Sequence, residues 1–323
     1  MCTAITYKTA DHYFGRTLDL EHCYRETVTV APRKFQFSFR EVDHIGDHYS
    51  IIGMATVQDG YPLYYDAANE CGLAIAGLSF PGNAHYFPRE AGKDNITPFE
   101  FIPFVLSRCK NTQEARILLS KINLCNIDFS SDLPLSPLHW IISDREGALT
   151  VESVKDGLKI YENPVGVLTN NPEFDYHMTH LCDFMNLTCL PPENRFGNIT
   201  LLPYSKGMGA MGLPGDLSSA SRFVRAAFIK LNSVCGNAES ESISQFFHIL
   251  GSVEQHRGCA RSGDGECNIT QYTSCINTDK GIYYYTTYEN SCISAVDMYN
   301  CDLKGDKLYN FPLAKAQIIN RQN

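Results

Sequence analysis

The residue pattern predicts an α+β fold in which sheets pack face to face with helices outside. The hydrophobic period switches along the chain, giving the order strands, two helices, strands, two helices, strands. The strict strand-helix alternation of a parallel-sheet nucleotide binder is missing. With 323 residues, 44% of them hydrophobic, the chain can bury a large core as one domain or as two.

Taken in order, residues 3–7 alternate apolar and polar, a turn follows at Ala10-Asp11-His12, and a second strand runs through Tyr13-Phe14-Gly15-Arg16. The two read as a hairpin that carries Arg16 back beside Cys2. Residues 27–32 and 49–57 supply further β-branched runs, and 69–80 read as a turn followed by a strand. The period then changes: Thr97-Pro98 resembles an N-cap with proline at N1, and Asn111 with Glu114 a capping box, so two helices are expected. Residues 138–161 read as a meander of hairpins with one polar face. Residues 176–217 are irregular and rich in Pro, Gly and Asn, long for a connection inside a compact domain, which points to a functional or assembly loop. Helical spacing resumes at 221–231 and 242–250, and from Gln271 the chain is strand again, strongest at 281–288.

A net charge of -9 without a long basic run argues against nucleic acid or an anionic membrane as partner. No apolar run of membrane-spanning length occurs, and the start has neither the basic nor the apolar region of a signal peptide, so a cytoplasmic protein is expected. The 13 cysteines are odd in number and never spaced CxxC, and read as reduced thiols. The sequons at Asn95, Asn186, Asn198 and Asn268 matter only in a secreted protein.

Cys2 stands directly behind the initiator methionine. Once Met1 is removed, one carbon bears both a thiol and a free α-amine. A thiol reacts as thiolate and needs a base or a positive neighbour. An α-amine, with a reference pKa of roughly 7.7 to 8.0, can take its proton. Arg16 can hold the thiolate by charge, and Asp19 can orient the amine. The residues alone also allow Cys2 to be an ordinary strand residue and Arg16 and Asp19 a turn and a surface ion pair. Other patterns carry less. Gly207-Met208-Gly209-Ala210-Met211-Gly212 matches GxGxxG but lacks a preceding strand and is followed by Leu213-Pro214 where a helix should start. His177, His180 and Cys182 are close in sequence, but a zinc site needs a further ligand or water in a defined geometry. The local signature of a papain-like cysteine and the GxSxG elbow are absent.

Several segments occur together in a familiar order: Met1-Cys2-Thr3, Gly15-Arg16-Thr17-Leu18-Asp19, Asn69-Glu70-x-Gly72-Leu73, Ala76-Gly77-Leu78-x-Phe80-Pro81-Gly82, and Leu138-His139-Trp140. Val167-Leu168-Thr169-Asn170-Asn171-Pro172, Gly212-Leu213-Pro214-Gly215-Asp216 leading to Ser221-Arg222-Phe223, and Gln271-Tyr272-Thr273-Ser274-Cys275 continue it. Over nearly the whole chain this resembles the choloylglycine hydrolases, the bile salt hydrolase and penicillin V acylase group of N-terminal-nucleophile amidases. The resemblance implies one domain over residues 1–323: a four-layer αββα sandwich of two mostly antiparallel sheets flanked by helices, with Cys2 at a strand end in the cleft.

By motif matching, Cys2 is the nucleophile, Arg16 the partner of its sulfur and Asp19 the residue that binds the α-amine. Asn170 matches the oxyanion-hole side chain, and Arg222 an arginine completing the polar network. The second oxyanion donor falls on the backbone N–H of Ser79, where the family usually has Asn or Tyr. Positions matching the substrate loops are Leu18, Tyr24, Phe129, Leu133 and Leu138, with Gln58 polar where the family tends to be apolar. The resemblance also implies hydrolysis of glycine- or taurine-conjugated bile salts without metal or organic cofactor, and a homotetramer. Penicillin V acylase activity, acyl transfer from bile acids to amines, and a silent bile-acid- or lipid-binding relative are the alternatives.

Overall fold

The computed structural model describes residues 1–43, 46–263 and 265–323. Six strands come first: β1 (Cys2–Lys8), β2 (His12–Leu20), β3 (Thr27–Ala31), β4 (Ile51–Gln58), β5 (Tyr61–Asn69) and β6 (Ala74–Ser79). Next come β7 (Asp94–Ile96), α1 (Phe101–Leu106), α2 (Thr112–Leu119) and β8 (Ile122–Leu124). A second strand block holds β9 (Leu138–Ser143), β10 (Ala148–Val154), β11 (Gly157–Glu162) and β12 (Val167–Leu168). Helices α3 (Phe174–Leu181), α4 (Ser219–Asn232) and α5 (Glu239–Gly251) precede β13 (Ile269–Asn277), β14 (Ile282–Thr287), β15 (Asn290–Asp297) and β16 (Tyr309–Pro312).

The strands form a six-stranded sheet, β12-β1-β2-β13-β14-β15, and an eight-stranded sheet, β11-β10-β9-β6-β5-β4-β3-β16. Every neighbouring pair in both sheets is antiparallel; among the described residues the small β7-β8 pair is parallel, as is the single bridge between Phe87 and Cys125. α1 packs on β5 and β6, while α4 and α5 pack on β1, β2, β12 and β13. β1 and β2 face β6 across the middle. The result is the expected four-layer αββα sandwich.

Sequence alternation explains why two cores form. In β6, Ala74, Ala76 and Leu78 point into the sandwich, while Ile75 points toward α1 and α2. The foreseen N-cap with proline at N1 opens a 3-10 turn at Pro98–Glu100 that leads into α1, and Glu100 accepts the Thr97 N–H at 2.8 Å. The Asn111 side chain accepts the Glu114 N–H at 2.9 Å to start α2. In β13 a bulge between Thr270 and Tyr272 adds Gln271 to the pairing with β2.

The structure differs from the reading in three places. The strand meander lacks the expected solvated polar face at its centre: β10 is buried from end to end, and only the edge strand β11 is half-exposed. The polar positions of β10 turn into the sandwich instead, where Thr150 accepts from Asn163 at 3.0 Å and Glu152 meets His139 at 3.0 Å. The irregular stretch begins later than residue 176, because α3 runs to Leu181 and a 3-10 turn covers Cys182–Phe184. β5, β7, β8, β12 and α3 are additional elements. The GxGxxG segment is a 3-10 turn at Met208–Ala210, entered through Gly207 in the left-handed region at φ 80°. No helix among the described residues is long and apolar enough to cross a membrane.

Candidate active site

Cys2 is the first residue of β1 and only 2% exposed. The β1-β2 register sets it opposite Leu18, and Ala4 opposite Arg16. Since alternate residues share a face, Cys2, Leu18 and Arg16 all point between the sheets, with Arg16 on the diagonal from Cys2. Asp19 and Thr17 point the other way, toward the α4 and α5 side.

Arg16 is buried. Its Nη1 donates to the carbonyls of Gly77 and Tyr65, the latter at 3.2 Å, and its Nε to Thr17 O at 3.2 Å. Nη2 is buried without a hydrogen-bond partner among the described residues. Burial works against the Arg16 charge, but Cys2, Tyr272, Asp66 and Asp19 hold its pKa above the ordinary value. The Asp19 carboxylate accepts from Thr270 Oγ1 at 2.7 Å and Thr17 Oγ1 at 3.1 Å. Burial raises its pKa, opposed by Arg222, the N-terminal amine, Thr270 and Arg16. With Met1 in place, the chain's amine donates to the Asp19 carbonyl at 2.6 Å, and the Asp19 N–H returns to Met1 O at 3.0 Å.

On the other side of β1, Ala4 pairs with Leu168, and the same register continued places Asn170 beside Cys2. Asn170 Oδ1 accepts the Cys2 N–H at 2.8 Å and Arg222 Nη2 at 2.7 Å. Both partners are donors, which fixes that atom as the oxygen. Its Nδ2 then donates to Ser79 O at 2.8 Å, with one N–H to spare. Arg222 reaches in from α4, where it also donates to Cys2 O, to Thr3 Oγ1 at 2.7 Å and to Leu217 O at 3.0 Å.

Ser79 lies opposite Leu138, whose N–H goes to Tyr86 Oη at 2.8 Å. The next N–H, of Phe80, bonds Pro137 O at 2.8 Å. Antiparallel pairs alternate, so Ser79 is at a non-hydrogen-bonded position and its N–H turns away from β9. β5 pairs with β6 only between Asp66↔Ala76 and Ala68↔Ala74. The Ser79 N–H thus lies on an open strand edge, on the side where its carbonyl meets Asn170.

The five polar residues Cys2, Arg16, Asp19, Asn170 and Arg222 are therefore gathered around one strand end. Of the six substrate positions, Leu18 is in the central core and Leu138 faces Ser79 across the strand pair. Leu138 and Phe129 pack against the core under α1 and α2, Phe129 with its ring 5.1 Å from that of Phe99 and 5.9 Å from Tyr61. Leu133 sits in a bend with Ser130, Gln58 is exposed at the end of β4, and Tyr24 is 50% exposed.

Sequence reasoning missed a supporting set. His139, fully buried, places Nδ1 3.0 Å from Glu152 Oε1 and Nε2 3.0 Å from Thr169 O, just before Asn170. His177 Nε2 donates to Asn170 O at 2.8 Å, and the Asn170 N–H goes to Ser219 Oγ at 2.8 Å. Burial lowers the His177 pKa to about 4, so it is a neutral donor. His139 falls inside a motif already noticed. His177 was noticed only beside His180 and Cys182, which turn instead to Asp183 at 3.2 Å and Met178 O at 3.6 Å. Among the described residues there is no cluster of three His, Cys, Asp or Glu able to hold a metal.

A first strand bearing a buried cysteine, held between an asparagine and two arginines in a four-layer sandwich, defines an amidase of the N-terminal-nucleophile type. The sequence pattern of the linear amide C–N hydrolases, choloylglycine hydrolase family, matches residues 2–311. A bile salt hydrolase/transferase of Lactiplantibacillus plantarum is 53% identical, the match covering 97% of this chain and 97% of that protein. The crystal structure of a C2A mutant of the conjugated bile acid hydrolase from Clostridium perfringens superposes with a TM-score of 0.93 at 36% identity, over 100% of both chains. Penicillin V acylase from Agrobacterium tumefaciens shares the fold, with a TM-score of 0.75 at 20% identity over 97% of this chain and 92% of that one. The chain belongs to the choloylglycine hydrolase family and is a hydrolase of linear amide bonds.

Proposed function

We propose that this enzyme cleaves the amide of glycine- or taurine-conjugated bile salts through Cys2. The observation that carries the reading is the position of Cys2 at the head of β1, with its N–H on Asn170 and its carbonyl on Arg222. Removal of Met1 turns that N–H into an α-amine, which takes the thiol proton while Arg16 stabilises the sulfur anion. Sulfur attacks the amide carbon, and the carbonyl electrons move onto oxygen. The spare N–H of Asn170 and the Ser79 N–H receive that oxyanion, where one such donor is worth about 2.7 to 4 kcal/mol. Collapse breaks the C–N bond, and glycine or taurine leaves with the proton held by the amine. Water, deprotonated by the same amine, then hydrolyses the acyl-thioester. Asp19 lies on the amine side and serves its protonated form. Leu18, Tyr24, Gln58, Phe129, Leu133 and Leu138 are proposed to shape the acyl site.

A second reading follows from the thioester itself: an amine can intercept it in place of water, and the Lactiplantibacillus relative is named both hydrolase and transferase. The stretch after α3 exposes Met185, Leu190, Phe196, Ile199, Leu202 and Tyr204, which supports its use in a homo-oligomer. The described cysteines are all free, which suits a reducing cytoplasm. Incubating Met1-free protein with taurocholate, glycocholate and penicillin V, with and without added amine, tests the proposal. Release of taurine and glycine is expected; release of neither identifies a silent binder, and release from penicillin V alone an acylase.

A further inference from the structure

Asp66, in β5, is completely buried between the sheets. Three hydroxyls of the opposite sheet donate to it: Tyr272 Oη at 2.5 Å, Tyr283 Oη at 2.7 Å and Ser274 Oγ at 2.9 Å. Ser274 Oγ in turn accepts the backbone N–H of Arg16 at 3.1 Å. This closeness depends on Gly15, where a Cβ would lie 2.0 Å from Ser274 O. Arg16 Nη1 binds the carbonyls of Tyr65, which precedes Asp66, and Gly77, which follows the Asp66 pairing partner Ala76. The guanidinium is therefore seated where β5 and β6 separate, bound to the carbonyl one residue before Asp66 and linked to that carboxylate through Ser274, with three hydroxyl donors aimed at the carboxylate's charged form.

The charged groups around the nucleophile are Arg16 and Asp19 from β2, Asp66 from β5 and Arg222 from α4. Burial raises the phenol pKa values of Tyr65, Tyr272 and Tyr283, so these stay neutral. Burial raises the Asp66 pKa, opposed by Arg16 and the three hydroxyls, and in Met1-free enzyme the Cys2 α-amine, while protonated, joins the two arginines as a third cation beside the two carboxylates. The mechanism uses Arg16, Asp19 and Arg222 and leaves Asp66 without a task.

We propose that Asp66 is a positioning residue for the Cys2 chemistry: its carboxylate shares the Arg16 charge and so limits how strongly the guanidinium stabilises the sulfur anion. A thiolate held too tightly is present at lower pH but attacks more weakly. Asp19 also acts on the Arg16 charge, but from the opposite face of the six-stranded sheet and without the Ser274 and Tyr65 links that tie Asp66 to Arg16. The inference rests on Cys2 being the nucleophile.

The test is the pH dependence of Cys2 alkylation by iodoacetamide in Met1-free enzyme, followed by mass spectrometry alongside loss of taurocholate hydrolysis. In Asp66→Asn the midpoint should move down by about one pH unit, and the plateau rate should fall about threefold. Ser274→Ala, which loosens the same cluster but keeps the charge, should leave the midpoint in place. If Asp66→Asn does not fold, Tyr272→Phe with Tyr283→Phe removes two donors, drives Asp66 to take a proton and should give the same downward shift. A midpoint that stays at the wild-type value in the charge-removing variant, or that moves equally in Ser274→Ala, overturns the proposal. Wild-type hydrolysis that survives full Cys2 modification overturns the nucleophile assignment itself, and is read separately from the midpoint.

Discussion

The two faces of the eight-stranded sheet are built from the same strands yet carry different chemistry. Toward α1 and α2 the face is aromatic and aliphatic: Ile51, Ala67, Ile75, Trp140, Ile142 and Val151 pack on Phe101, Ile102 and Phe104. Toward the six-stranded sheet, apolar residues such as Ile52, Met54 and Leu78 share the face with Asp66, His139 and Glu152, all fully buried. A buried charge is costly unless hydrogen-bonded and paired. The inner face spends its polar positions around Cys2 and Asn170, whereas the outer face serves packing.

Variants on the two faces should separate accordingly. Cys2→Ala should lower kcat by a factor on the order of the ~10⁶ seen when a hydrolase loses its nucleophile, with the thermal unfolding midpoint nearly unchanged. Steady-state hydrolysis and calorimetry check both halves. On the outer face, Phe101→Ala should cost about 3 to 5 kcal/mol of stability, because the ring is buried and stacked 4.2 Å from Trp140. Urea unfolding measures that loss, and kcat per folded molecule should hold; a comparable fall in kcat would break the division of labour. Asn170→Ala should reduce kcat by about 10² to 10³, with KM moving less.

The fourth expectation concerns acid. Burial lowers the His177 pKa to about 4, against about 6.5 when unfolded. Between those values the unfolded chain binds the extra proton, so stability is full above about pH 6.5 and lost as pH falls toward 4. The loss is on the order of 3 kcal/mol. His177→Gln should flatten the profile of urea midpoint against pH over that window, and an unchanged slope would show that His177 is not its source.

Local pattern made much of this legible. The hairpin that brings Arg16 to Cys2, the capping of α1 and α2, and the spacing of α4 all depend on near neighbours in sequence. Asn170 and Arg222 reach Cys2 across separations of 168 and 220 residues. Only family resemblance pointed to them, since no periodicity encodes so distant a contact. β5 escaped because Pro62 and the Tyr64-Tyr65-Asp66 run break its alternation, and Asp66 makes sense only against hydroxyls of the other sheet. α3 is short and lies in a Pro- and Asn-rich surrounding that reads as loop. The polar positions of β10 were legible as a face but not as a buried one, because burial depends on which layer covers the sheet.

The bulge at Gln271 lets β13 address two audiences. Without it, Thr270, Tyr272 and Ser274 would all stand on one side; with it, Thr270 meets Asp19 toward the helices while Tyr272 and Ser274 meet Asp66 in the interior. Excising that single amino acid would leave the strand able to satisfy one carboxylate or the other. The insertion is thus the hinge of parity on which both acids depend, and a one-residue deletion there should wound the enzyme more deeply than any exchange of the Gln271 side chain.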